Sequence, residues 1–166
     1  MMSAVFYYCG SICYQRNEKE YTVFFALGCA VSFYLFLKGL RENRYLHMSM
    51  KKIDKLSGKA FEEYLTVQFR KMGYRVRMTE GSHDYGADLI LKKRKTCIVV
   101  QAKRYEKNIG ISAIQEVVGS IAYYEADKAM VVTNRYFTKS AQNLAKQNGV
   151  ELWNREVIRK KFHIRG

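Results

Sequence analysis

Two hydrophobic patterns divide this chain. Residues 21–37 run without a charged side chain, bordered by Glu18, Lys19 and Glu20 before and by Lys38 and Arg41 after. From Ser57 onward the apolar residues instead recur with short periods. Phe61, Tyr64, Leu65, Gln68, Phe69 and Met72 are spaced as on one helix, with Ser57 as its cap and Gly73 as its stop. Residues 74–78 alternate apolar and basic side chains, as a half-buried strand does. Residues 80–86 form a polar loop carrying Gly81 and Gly86. Two runs rich in Ile, Leu and Val follow, separated by a basic turn centred on Arg94 and Lys95. Ser112 opens a second helix through Ile114, Val117, Val118, Ile121 and Tyr124, and residues 128–133 make a further strand. Thr138 caps a third helix that ends at Gly149, and residues 150–153 make a short last strand. The predicted order is α-β-β-β-α-β-α-β, an α/β domain with helices against a mixed sheet.

The segment 88–103 adds geometry to this outline. In a hairpin with an even-numbered loop, Lys92 faces Cys97, Ile90 faces Val99 and Asp88 faces Gln101. Opposed residues project to the same face, with β-carbons about 4.5–5.5 Å apart. Lys103 lies two residues past Gln101 and joins that face. A carboxylate, an amide oxygen and an ammonium therefore converge at the end of an apolar hairpin.

The uncharged run reaches the lower limit of a membrane span, about 17 residues, and Gly39 and Leu40 extend it if Lys38 snorkels. A transmembrane helix over 21–40 is expected, after an apolar, aromatic segment 1–20. Residues 1–14 are short for a second span and are read as interfacial or as a marginal hairpin partner. A cleaved signal peptide fits poorly, because mixed charges precede the run. Lys38, Arg41, Arg44, Lys51, Lys52 and Lys55 follow the run, against Arg16 and Lys19 before it. That bias places the following domain in the cytoplasm of a single-pass chain, or of a two-pass one if 1–14 inserts. Residues 41–55 read as a basic linker suited to anionic headgroups, 56–158 as the folded domain and 159–166 as a basic tail.

The net charge of +14 sharpens the partner. Residues 1–45 carry only +2, which leaves +12 on the rest. A domain so basic is usually matched to a polyanion, although charge alone also describes a solvated surface. Cys9 and Cys13 lack a second pair for zinc, and no disulfide framework is apparent.

Phosphodiester hydrolysis needs a metal to polarise phosphate and generate hydroxide, and a cation to offset developing charge. Mg2+ takes oxygen ligands and typically only one or two protein carboxylates. Asp88 supplies a carboxylate and Gln101 a neutral oxygen. Lys103 is placed to orient or deprotonate water, or to neutralise the transition state. Glu62 on the first helix is a candidate to complete the shell.

The blocks GKAFEE, HDYGADL, VVQAKRY and VVTNRYFT, followed by the helix with Ala141 and Ala145, occur in an order similar to the Mrr-like restriction endonucleases of the PD-(D/E)xK superfamily. The resemblance covers most of 57–158. It implies a restriction-endonuclease-like sheet flanked by helices, with an α-β-β-β-α-β core. It also implies Mg2+-dependent DNA cleavage, with Mn2+ as a substitute metal and no organic cofactor. By the same resemblance, Asp88, Gln101 and Glu62 bind metal and Lys103 is the catalytic lysine, with Gln101 standing where most of the superfamily has Asp or Glu. Asp84 and Gln115 become outer or alternate members of the site. Two-strand cutting usually requires two sites, so a homodimer is expected. Mrr-type enzymes join the nuclease to a DNA-reading domain; here an apolar segment takes that place.

Local structure offers competing roles. Asp88 alone is suited to capping a loop, Asp84 to shaping the turn with Gly86, and Gln115 to a capping box with Ser112. His83 fits a polar loop. Lys92, Lys93, Arg94, Lys95, Arg104, Tyr105 and Lys107 are candidate DNA contacts that also suit a solvated surface. An inactive DNA-binding module of the same fold and an RNA nuclease are the alternative readings.

Overall fold

The computed structural model describes residues 2–79 and 85–164, with side chains from Glu20 onward. Two compact units divide the chain, Met1–Arg41 and Glu42–Gly166. Helix α1 (Met2–Leu46) runs unbroken, so no turn separates residues 2–14 from the apolar run and a hairpin partner is ruled out there. Its stretch Glu20–Leu46 is long and apolar enough to cross a membrane, and its most apolar window is wholly exposed. Tyr21, Phe24, Phe25, Phe33, Tyr34 and Phe36 are each more than half exposed.

In the second unit α2 (Met50–Ile53) and α3 (Gly58–Lys71) precede β1 (Arg75–Met78), β2 (Leu89–Lys93) and β3 (Thr96–Lys103). Then come α4 (Ser112–Tyr123), β4 (Lys128–Thr133), α5 (Lys139–Gln147), β5 (Glu151–Trp153) and α6 (Arg155–Lys161). The strands lie in sequence order β1-β2-β3-β4-β5. The β1–β2 and β2–β3 pairs are antiparallel, and β3–β4 and β4–β5 are parallel. The parallel pairs follow from the α4 and α5 crossovers, since parallel neighbours need a long connection.

The pleat sorts the core into two clusters. Leu89, Leu91, Ile98, Val100, Met130 and Val132 pack with Phe61, Tyr64, Leu65 and Phe69 of α3. Ile90, Val99, Ala129 and Val131 pack with Ala113, Ile114 and Val117 of α4 and with Ala141 and Ala145 of α5. Strands covered on both faces read as continuous apolar runs, which is why β3 and β4 show little alternation. Each fully buried Leu, Val, Ile or Phe contributes roughly 1.5–3 kcal/mol.

The hairpin has the expected register. Lys92 pairs with Cys97 and Ile90 with Val99, and the ladder closes at Leu89–Val100. Arg94 makes the turn at φ 54°, a left-handed conformation that follows the twist of the strands. The Ser57 and Thr138 hydroxyls cap α3 and α5, accepting from the N–H groups of Ala60 and Ala141. Gly73, at φ 83°, follows the end of α3.

Three local expectations change. Ser112 is not a cap: Ile111 holds that place and its carbonyl receives the N–H groups of Ile114 and Gln115, so no capping box forms. Tyr45, Met48, Met50 and Ile53, within the stretch expected as a linker, are buried in the core. Beyond β5, Asn154 caps α6 by accepting from Glu156 and Val157, and Ile158 and Phe162 are buried too. In both stretches a few apolar side chains sit among many Lys and Arg, a pattern that signals solvent until the covering surface is known.

Candidate active site

β3 is the middle strand, and the site is built where it emerges from between β2 and β4. Past the last pair of the hairpin ladder, the Asp88 and Gln101 side chains meet. Asp88 Oδ2 accepts from Gln101 Nε2 at 2.7 Å and from the Ala102 backbone N–H at 2.6 Å. Two donors on one carboxylate oxygen are charge-assisted bonds, about twice as strong as neutral ones, and they fix its direction. Thr79 steadies the approach to Asp88, donating its hydroxyl to the Ala87 carbonyl and its N–H to the Asp88 carbonyl.

Gln101 is 4% exposed, and among the described residues its Oε1 is buried without a hydrogen-bond partner. An orphaned buried acceptor costs about 1–3 kcal/mol, so a cation bound there would offset that cost. A carboxylate beside a free amide oxygen is the hard, oxygen-only donor set that suits Mg2+ or Mn2+. Among the described residues no group of three or more His, Cys, Asp or Glu gathers.

Lys103 lies one pleat beyond Gln101, its side chain 19% exposed, with Nζ 2.6 Å from Glu116 Oε2. Burial pulls the ammonium down, but the hydrogen bond and charge of Glu116, aided by Asp88 and Tyr105, outweigh it and hold Lys103 above the ordinary lysine value. Glu116 lies outside the set expected from the sequence. It stands on α4 next to Val117 and between buried Ala113 and Ser120 at helical spacing. An acid bordering an inward stripe was the available signal.

The loop before Asp88 is pressed onto the same helix. Gly86 has φ 87°, and a β-carbon there would lie 2.1 Å from the Glu116 carbonyl oxygen. Only glycine permits that approach. Tyr85, at φ 46°, stacks on Tyr123 with ring centroids 3.9 Å apart. Gly86 and Glu116 therefore link the Asp88 loop, α4 and Lys103.

The other expected residues are dispersed. Glu62 is half-buried on α3, which covers the sheet face opposite α4. Gln115 is exposed on α4, beside Glu116. His83 and Asp84 lie outside the described residues. Arg104 donates Nε to the Leu56 carbonyl, Tyr105 is 53% exposed, and Lys107 is exposed, all at the Lys103 end of β3. Lys92, Lys93, Arg94 and Lys95 occupy the other end of the hairpin, four to seven positions from Asp88. At about 3.3 Å per residue, Lys92 to Arg94 stand roughly 13–20 Å away along the strand. Lys93 is engaged structurally, donating to the Met72 carbonyl at 2.8 Å and lying 4.9 Å from the Tyr74 ring.

Comparison with known proteins agrees with this architecture. The DNA modification-dependent restriction endonuclease AspBHI shares the fold at a TM-score of 0.54 and 19% identity, over 70% of this chain and 34% of AspBHI. The MspJI restriction endonuclease, solved in complex with a 27-mer oligonucleotide, matches at 0.50 and 19% identity, over 68% of this chain and 29% of MspJI. The chain thus spans about a third of the length of these structures. No match was found among curated proteins. Residues 53–161 match the Mrr_cat family, a restriction endonuclease family, and cover everything from Ile53 to α6. The folded unit is a restriction-endonuclease-like nuclease domain, and the chain belongs to the Mrr_cat family.

Proposed function

We propose that this protein is a membrane-tethered, divalent-metal-dependent DNA endonuclease. The observation that carries the chemistry is the Gln101 Oε1, without a partner among the described residues, beside the Asp88 carboxylate and next to a half-buried lysine. Asp88 and Gln101 would hold the metal, with Glu62 of α3 as an added ligand. When bound, Mg2+ or Mn2+ would polarise the scissile phosphate and acidify a water.

The chain's own groups do the rest. Ala102 N–H orients the Asp88 carboxylate. Lys103, kept cationic by Glu116, offsets charge on the phosphate rather than acting as base. A water oxygen attacks phosphorus, the bond to one bridging oxygen breaks, the water loses a proton to solvent, and the departing oxygen gains one. Arg104, Tyr105 and Lys107, at this end of β3, are placed to contact the flanking backbone, and Lys92, Arg94 and Lys95 to contact a more distant phosphate. Cutting both strands calls for two such sites and hence a homodimer. The exposed apolar surface of α1 supports the tether, and the basic residues after it support a cytoplasmic domain.

A second reading rests on Gln101. One carboxylate fewer weakens metal affinity and favours a module that binds DNA without cutting it. One assay separates the two: supercoiled and linear plasmid incubated with the full chain in detergent, with and without Mg2+ or Mn2+. Nicked or linear product that requires metal and disappears in Asp88→Ala supports the enzyme. DNA binding without product, equal in wild type and variant, supports the module.

A further inference from the structure

The β3–β4 ladder ends at Lys103–Thr133. Backbone past that pair needs other partners, and a part-buried side-chain network centred on Asn134 supplies them. Asn134, fully buried, accepts the Tyr105 N–H on Oδ1 at 3.0 Å and donates Nδ2 to Asp54 Oδ1 at 2.9 Å. Arg155 Nη1 donates to both Asp54 oxygens at 2.7 and 2.9 Å and to the Asn134 carbonyl at 3.1 Å. Arg104 Nε reaches the Leu56 carbonyl, and Arg135 Nε donates to the Tyr105 carbonyl at 3.3 Å. The two residues directly after Lys103 are thus tied to residues 54–56 and to the start of α6.

We infer that Asp54 and Asn134 are positioning residues, which hold Arg104 and Tyr105 and so fix the end of β3 that presents Lys103. This rests on the nuclease reading above. None of the bonds is made by Asp88, Gln101 or Lys103, so the network acts on the site through backbone. A short side-chain network of this kind is stiff. The Asn134 amide has one atom for each partner, and reversing it would set donor against donor at Tyr105. Arg155, with one nitrogen shared between the Asp54 carboxylate and the Asn134 carbonyl, keeps the amide in this sense. Residues 54–56, which precede the first long helix of the domain, are therefore part of the active-site framework.

The test uses the full chain in detergent micelles with Mg2+ and supercoiled plasmid, comparing Asp54→Ala, Asp54→Asn, Asn134→Ala and Ile158→Val. Ile158→Val trims the core of α6 without touching the network and controls for lost stability. Asp54→Ala and Asn134→Ala are expected to lower kcat about 10- to 100-fold at saturating DNA with KM little changed, as a small misplacement does. Asp54→Asn keeps an acceptor for Asn134 and is expected to recover much of the loss, and Ile158→Val is expected to keep wild-type kcat. Hydrogen exchange read without substrate is the second arm. The Tyr105 amide should exchange about tenfold faster in Asp54→Ala and Asn134→Ala, with the amides of 89–100 unchanged. Unchanged kcat with only a lower melting temperature, or unchanged Tyr105 exchange, overturns the inference. A wild type that cuts nothing refutes the nuclease reading, and Tyr105 exchange then decides alone whether the network holds this segment.

Discussion

The two ends of the β2–β3 hairpin differ in almost everything except sequence proximity. The turn end carries Lys92, Lys93, Arg94 and Lys95, all exposed. The open end carries Asp88, Gln101 and Lys103, of which Gln101 is buried and the other two half-buried. The turn has the higher charge, yet its groups point to solvent or, like Lys93, close the end of a helix. The open end has little net charge but holds an amide oxygen without a partner among the described residues, a doubly hydrogen-bonded carboxylate and an ion-paired lysine within one pleat. Charge density marks where phosphate can rest, and desolvated, mutually oriented groups mark where bonds can be broken.

The sharpest way to break this contrast is to exchange the ends as mutational targets. Asp88→Ala should abolish metal-dependent plasmid cleavage, whereas the triple variant Lys92→Ala, Arg94→Ala, Lys95→Ala should keep kcat at saturating DNA. Gly86→Ala comes next. The new methyl meets the Glu116 carbonyl at a φ of 87°, so a loss of at least ~1–3 kcal/mol is expected in urea unfolding, with cleavage falling alongside. For the triple variant the effect should appear in binding. The slope of log K against log salt should shrink by about 0.9 for each phosphate that the variant no longer neutralises.

The smallest effect concerns pH. Burial pushes the Asp54 carboxyl up, but its hydrogen bonds to Arg155 and Asn134 and the nearby positive charge of Arg155 and Arg135 outweigh that and hold it below 3.8. A depressed folded value gives stability that is present above 3.8 and lost as pH falls through the lower folded value. Thermal melts of wild type should therefore drop over that acid window, and Asp54→Asn should flatten the drop.

Much of this hairpin was legible in the sequence. The pairing of Lys92 with Cys97 and of Ile90 with Val99 follows from a two-residue loop and the period of a strand, which tertiary context did not override. The Ser57 and Thr138 caps were equally local. Glu116 was legible only as an acid bordering the inward stripe of its helix, because its partner Lys103 comes from another element. Nor was the burial of Tyr45, Met48, Met50 and Ile53, which depends on a surface formed by α3 and the sheet. Asn134 was visible only as part of the VVTN block, and its role rests on residues 80 positions earlier and 21 later.

The central claim is that the Gln101 amide oxygen and the Asp88 carboxylate together form a metal site. Its most direct test is the Mg2+ dependence of plasmid cleavage and of thermal stability in wild type and Gln101→Glu. Gln101→Glu, with a second carboxylate and no amide hydrogen bond to Asp88, should melt lower without metal, gain more stability from Mg2+ and cleave at lower Mg2+ concentration. Identical Mg2+ responses in the two proteins, or cleavage that persists in Asp88→Ala, would contradict it.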